Sequence, residues 1–125
     1  MTTKPDNPYA ALERIFHEPN RLAIMSSLCA AADGLTFNEL KIDCELTDGN
    51  LSRHLKALEE AKAIRIEKAF VKSRPQTTIY LSDKGRESFL EYLKALEEVL
   101  QKAAVAVAPE KKKRSSLIFG KTSPA

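Results

Sequence analysis

The chain has only two cysteines, two histidines and four glycines in 125 residues. It also has no apolar run approaching the ~18–20 residues needed to span a bilayer. Each scarcity removes a class of function. Cys29 and Cys44 are far apart, with no paired CxxC, and His17 and His54 are too dispersed to join them in a site, so no metal is expected. Small buried thiols in a reducing compartment are the expectation. With no glycine-rich phosphate loop, no HExxH and no Ser/His/Asp set, the chain is not expected to be an enzyme, and no cofactor is implied. Aromatics make up 6% of the chain, and the strand-like segments carry only Phe70 and Tyr80, too few for the stacking platform of a single-strand RNA binder. The first residues, MTTKPDNPYA, lack the apolar core of a signal peptide, so a cytoplasmic protein with no membrane partner is expected.

What is present is ordinary for one globular domain: 43% hydrophobic and 30% charged residues. The formal net charge of +3 is unevenly placed, because residues 110–125 hold Lys111, Lys112, Lys113, Arg114 and Lys121 against the single acid Glu110. The remainder is nearly neutral. Residues 1–8 are expected to be a loose arm, 9–108 the folded domain, and 109–125 a basic tail that adds nonspecific attraction to phosphate.

Along the chain, Leu12, Ile15 and Phe16 repeat at helical spacing from Tyr9. Pro19 fits the first position of a second helix, with Leu22, Met25, Leu28 and Cys29 on one face and Gly34 available as a left-handed cap. Thr36 and Glu39 fit a capping box opening a short helix from about Phe37 to Cys44. Thr47 and Asp48 suit the start of another, in which Leu51, Leu55 and Leu58 form a buried stripe. From Ala63 the period changes to two, and IRI and TTIYL flank a loop, VKSRPQ, which Pro75 would stiffen, giving a β-hairpin. Ser82 and Asp83 open a last helix that ends by Pro109. The fold class is therefore mainly α with a small β-hairpin.

A short helix, a tight turn, an amphipathic helix and a hairpin with a basic loop make the plan of a winged helix-turn-helix. The helix over 48–61 would lie in a major groove, and the wing over 71–77 on the backbone or in the minor groove. Its N-terminal half offers Asp48, Gly49, Asn50, Ser52, Arg53 and His54. Arg53 can pair two-fold with guanine and Asn50 with adenine, Thr47 and Ser52 suit phosphate or base contacts, and Gly49 permits close approach. His54 can face the groove or lean back on the domain. Lys56 on the helix and Lys68, Lys72, Arg74 and Gln76 on the hairpin complete the candidate set. A solvated amphipathic face is the plain alternative for the helix alone, and the cationic wing weighs against it.

The run NLSRHLKALEEAKAIRIEKAFVKSRPQTTIYLSDKGRESFLEYLKALE resembles the winged-helix regulators of the broad MarR/ArsR type, notably small bacterial and archaeal proteins. The resemblance covers roughly residues 19–96 and implies a cytoplasmic, dimeric transcription regulator that binds an inverted repeat in double-stranded DNA. It departs from the pattern where Lys62 replaces a glycine after the expected recognition helix, and a turn of different construction is expected there. Relatives of this type sense metals, oxidants or small aromatic acids; the one hint of redox sensing is Lys41, one turn before Cys44, and a small-molecule effector would take a pocket between the dimer helices and the helix-turn-helix, which leaves no mark in the sequence.

Phe89, Leu93, Leu96, Leu100, Ala103 and Val107 step by 4, 3, 4, 3 and 4 residues, a heptad seam. The long C-terminal helix is thus expected to pair with its twin in a homodimer, with Leu12 and Phe16 completing the interface. The competing view packs the seam on its own domain. The rival function is a winged helix used for protein–protein contact without sequence-specific DNA binding; Lys72 and Arg74 in the wing favour nucleic acid.

Overall fold

The computed structural model describes residues 13–109. The first expected helix lies mostly outside that range, as do the N-terminal arm and the tail from 110. Its described end is a single turn, with the Phe16 and His17 amides donating to the Glu13 carbonyl at 3.0 and 3.1 Å. The elements that follow are α1 (Pro19–Cys29), β1 (Leu35–Thr36), α2 (Phe37–Cys44), α3 (Asp48–Glu60), β2 (Ile64–Val71), β3 (Arg74–Leu81) and α4 (Asp83–Val107). The described residues divide into two compact units, Glu13–Leu90 and the part of α4 from Glu91 onward. Among them no helix is long and apolar enough to cross a membrane.

The helix starts follow the caps. Pro19 sits at the head of α1, and the Glu18 carboxylate accepts from the Arg21 amide at 2.8 Å. At α2 the capping box is complete: Glu39 N–H donates to Thr36 Oγ1 at 3.1 Å, and Thr36 N–H donates to Glu39 Oε1 at 2.9 Å. The buried side of α1 is Ile24, Met25 and Leu28, one step round from the expected face. Cys29, expected inside, is exposed. Gly34 does take a left-handed φ of 80°, but it caps no helix, because α1 ends earlier, at Cys29. It stands at the entry to β1, where a Cβ would come within 2.8 Å of the Ile79 carbonyl oxygen. That close approach lets Leu35 and Thr36 pair with Ile79 and Thr78, adding a strand the sequence pattern does not announce.

The sheet is antiparallel in the order β1-β3-β2. Its register runs from Ile64 opposite Leu81 to Val71 opposite Arg74. The hairpin turn is therefore two residues, Lys72 and Ser73, both left-handed with φ of 55° and 67°, the backbone of a type I′ turn. The expected six-residue loop is mostly strand, and Pro75 stiffens no loop because it pairs with Phe70. Proline is tolerated there for a geometric reason. Next to a two-residue turn the Phe70/Pro75 pair is the non-hydrogen-bonded kind, so the missing N–H faces outward, beyond the reach of β1.

The core of the first unit is Phe16, Ile24, Met25, Leu28, Leu40, Leu51, Leu58, Ile79 and Phe89, all nearly inaccessible. Phe16 and Phe89 meet edge to face, ring centres 5.3 Å apart at 74°. Both were expected at a dimer interface; both are instead 1% exposed and offer no surface to a second chain.

Candidate nucleic-acid interface

Helix α3 begins at Thr47, whose hydroxyl accepts from the Asn50 amide at 3.2 Å. Asp48 lies in the first turn, where its charge complements the helix dipole. It also accepts from the Lys41 ammonium of α2 at 2.7 Å, an exposed ion pair that links α2 to the head of α3. Asp48 thereby has a partner within the domain as well as a place on the surface. Lys41, the hint of a thiol switch, is committed to this pair. The Cys44 thiol is pushed above its usual pKa by burial, opposed by its contact with the Ser27 hydroxyl and reinforced by neighbouring Asp43.

Four residues of α3 are buried: Leu51, His54, Leu55 and Leu58. Their spacing of 3, 1 and 3 places them on one stripe. The opposite line, Gly49, Arg53, Lys56 and Glu60, steps by 4, 3 and 4 and is exposed throughout. Arg53 Nη2 donates to Asn50 Oδ1 at 2.9 Å, so the two side chains expected to read different bases are joined. Glu59 and Glu60 put negative charge at the C-terminal end, which leaves the N-terminal half as the end suited to a polyanion.

His54 is the clearest departure from the expected site. It is 3% exposed, so it belongs to the buried stripe and not to the groove-facing set. Its Nδ1 lies 3.3 Å from Arg21 Nη1 and 4.0 Å from Glu18 Oε1. Arginine can only donate, so Nδ1 is the acceptor and the ring is neutral, with its proton on Nε2. Burial holds the His54 pKa below 6.5; Arg53 and Arg21 push the same way against Glu18. Arg21 is itself fixed by donating from Nε to the Ile15 carbonyl at 2.7 Å. For Glu18, partial burial disfavours the charge, but the Arg21 amide bond, His54 when protonated and the Arg21 guanidinium outweigh it and lower its pKa.

The end of α3 is built around Lys62. Its φ of 64° is left-handed, so the lysine takes the conformation a glycine would, contrary to the expected different turn. The Lys62 amide donates to Glu59 at 2.9 Å and the Ala63 amide to Leu58 at 2.9 Å, the paired bonds of a Schellman motif. Helix α4 locks this turn. Ser82 Oγ donates to the Lys62 carbonyl at 2.7 Å and accepts from the Gly85 amide at 2.8 Å.

Beyond the core the hairpin is a bare ribbon: every residue from Glu67 to Gln76 is exposed. Lys68, Lys72, Arg74 and Gln76 all lie on it. A concavity of about 730 Å³ separates α3 from the sheet, with Ser52 and Lys56 on one wall and Lys68 and Thr77 on the other. A second, of about 380 Å³, brings Arg74 and Gln76 beside Thr36 and Asn38 at the head of α2. Asn38 was not among the expected residues. Only the pairing of β1 with β3 brings it there, and no pattern in a two-residue strand could have signalled that.

In the second unit, Leu93 and Leu100 are each 37% exposed and Val107 is 78% exposed. Leu96 and Glu97 join Leu93 and Leu100 around a shallow groove of about 320 Å³. Tyr92 and Ala95 are the buried positions of this stretch. Leu12 lies outside the described residues. Among the described residues no group of three His, Cys, Asp or Glu side chains could hold a metal ion.

Residues 20–100 match the family model described as a winged helix DNA-binding domain. An uncharacterized protein of Methanocaldococcus jannaschii is 39% identical over 88 residues, 70% of this chain and 91% of that protein. The structure of a transcriptional regulator homologue from Pyrococcus horikoshii aligns with a TM-score of 0.71 at 26% identity, over 79% of this chain and 98% of the other. The Staphylococcus aureus MepR–DNA complex aligns with a TM-score of 0.64 at 22% identity, over 84% of this chain and 85% of the other, a likeness of fold. A MarR-family regulator from Silicibacter pomeroyi shares that fold, with a TM-score of 0.57 at 20% identity over 86% of this chain and 70% of the other. By the family match and the identity over most of its length, the chain belongs to the winged helix DNA-binding domain family, in the fold of MarR-type transcriptional regulators.

Proposed function

We propose that this protein is a sequence-specific regulator of transcription that binds double-stranded DNA as a homodimer and acts by binding, not catalysis. The observation that carries this reading is the juxtaposition of an exposed helix face, Gly49, Arg53 and Lys56, with an exposed ribbon bearing Lys68, Lys72 and Arg74 and no acid from 68 through 77. A helix of this kind fits the ~12 Å major groove, and the ribbon meets the adjoining phosphates. Arg53 is the base reader, suited to guanine O6 and N7. Asn50, joined to Arg53 at 2.9 Å, orients the guanidinium and keeps its amide N–H₂ free for an adenine. Thr47, Ser52, Lys56 and Gln76 contact backbone or base edges. Asp48 acts through Lys41, and His54 has no part in the contact.

The dimer forms along Leu93, Leu96, Leu100, Ala103 and Val107, whose heptad spacing and exposed leucines suit a second copy of the same helix. Two recognition helices set about one DNA turn apart, ~34 Å, then require an inverted repeat. That MepR has been solved on DNA supports the reading by likeness of fold.

The test is selection of bound duplexes from a random pool, followed by titrations with two variants. Arg74→Ala is expected to weaken all duplexes and lower the salt slope by about 1, whereas Arg53→Ala also relaxes the selected sequence. Equal effects of both on random and selected DNA would refute the base-reading role of Arg53. Sedimentation as a monomer at micromolar concentration ends the dimer.

A further inference from the structure

Phe70 has no role in the fold: it is 75% exposed. Isolated exposed apolar side chains are common and need no explanation. This one is not isolated. Directly across the hairpin stands Pro75, and the pair shares its sheet face with Lys68/Thr77 and Ile66/Ile79, the pairs two and four residues nearer the core. Ile66, Lys68 and Thr77 line the concavity shared with α3, so this is the face turned toward the recognition helix. Along the strand, Phe70 stands about 13 Å farther out than Ile66 at ~3.3 Å per residue. Lys68 and Lys72 flank it, Arg74 follows the turn, and no Asp or Glu occurs from 68 through 77.

An apolar pair at the end of a ribbon that carries Lys68, Lys72 and Arg74 and no acid from 68 through 77 is complementary to a surface with phosphates on either side and an apolar interior. A protein partner would not require that frame of positive charge; a DNA minor groove supplies its match. With α3 in a major groove, the ribbon crosses the adjoining phosphate ridge and its tip arrives at the next minor groove. There the ammonium groups meet phosphates, and the ring meets deoxyribose and base edges. Apolar side chains inserted at that place part the stacked bases and bend the duplex, most readily at pyrimidine–purine steps such as TA and CA/TG.

We infer that Phe70, backed by Pro75, is a minor-groove wedge that opens a base step flanking the sequence read by α3 and selects flexible pyrimidine–purine steps there through their deformability. The inference rests on the DNA-binding function proposed above. It assigns sequence preference to a position that no hydrogen-bonding side chain contacts.

The experiment uses the full chain with random-pool selection at fixed salt, then duplexes carrying 2-aminopurine at the flanking step, whose fluorescence rises when the base unstacks. The wild type is expected to enrich the half-site together with a flanking pyrimidine–purine step, and to brighten the probe on binding. Phe70→Ala is expected to keep the half-site, lose the flanking preference and the brightening, and bind about tenfold more weakly. Phe70→Leu, still an apolar wedge, is expected to retain most of both. Because Phe70 is exposed, all three chains should share one circular dichroism spectrum. If Phe70→Ala keeps the flanking preference and the brightening, the wedge is wrong while the DNA-binding function stands. Loss of the half-site itself in Phe70→Ala overturns the separation of roles. A wild type that enriches no half-site overturns the DNA-binding function, and the wedge with it.

Discussion

Replacing Gly49 by alanine should move stability and DNA affinity in opposite directions, and that divergence tests where the head of α3 lies. Gly49 is the second residue of the helix, and a Cβ built on it meets nothing within 4 Å. Its backbone is helical, so alanine fits without strain. Glycine costs about 1 kcal/mol against alanine in a helix interior, and about half of that is expected in the first turn. Gly49→Ala should therefore stabilise the fold by roughly 0.5 kcal/mol and raise Tm by about 2–4 °C. Gly49 also shares the outer line of α3 with Arg53 and Lys56. If the groove floor approaches that line closely, an added methyl displaces the helix enough to carry Arg53 beyond the ~2.7–3.2 Å hydrogen-bond range. Losing one bidentate base contact costs about 1–3 kcal/mol, or on the order of tenfold in affinity. Thermal melts and anisotropy titrations at one salt concentration measure both sides. A more stable variant with undiminished affinity would refute the placement of Gly49 against DNA, and a less stable one would refute the helical geometry at its head.

Gly85 offers the contrasting case: a Cβ there would stand 1.9 Å from the Ala63 carbonyl oxygen, a backbone atom that no side-chain rotation can clear. Gly85→Ala should cost about 3 kcal/mol, visible as a large drop in the denaturation midpoint, and an unchanged midpoint would mean that α4 does not pack on that turn. Lys62→Gly should stabilise by about 1 kcal/mol, since φ of 64° burdens lysine and not glycine; a loss of stability in chemical denaturation would contradict the left-handed turn. The lowered pKa of His54 makes stability depend on pH. The unfolded chain binds the His54 proton first, so its contribution is full above about pH 6.5 and is lost as pH falls from there through the folded pKa. His54→Asn, which keeps an acceptor for Arg21, should flatten stability as pH falls below about 6.5, and an unaltered slope would place the titration on another group.

The parts of this fold that could be read in the sequence are those set by neighbours along the chain. Thr36 with Glu39, Thr47, and Pro19 each announce a helix start because a cap needs only residues a turn apart. The parts that could not be read are set by distant partners. β1 exists because Gly34 brings two residues with no pattern of their own beside Ile79. Pro75 looks like a loop residue until its orientation in the ladder is known. A seam stepping by 4 and 3 is the same string whether its leucines meet a twin or their own domain; Phe89 proves to be buried in the first unit, while Leu93 and Leu100 are each 37% exposed. His54 is different, because its place was legible: 51, 54, 55 and 58 are one helical stripe, and the polar character of histidine obscured the spacing.

The same distinction explains how α3 is held in place with so few special residues. Its inner stripe fixes the rotation of α3 about its own axis, and two pins at its ends fix the remaining freedom. At the head, Lys41 of α2 grips Asp48 at 2.7 Å. Both side chains are substantially exposed, so this pin alone is worth little. At the tail, Ser82 bonds the Lys62 carbonyl at 2.7 Å, its amide reaches the Ala63 carbonyl at 3.1 Å, and Gly85 lets α4 approach that backbone without a Cβ between. Arg21 adds a side contact through His54. The strong constraint therefore sits at the C-terminal end of α3 and the weak one at its N-terminal end. In the proposed complex, a helix anchored in that way keeps its direction while its N-terminal end adjusts to the DNA, so its orientation depends on Ser82 and Gly85, residues that no search for base-contacting side chains would select.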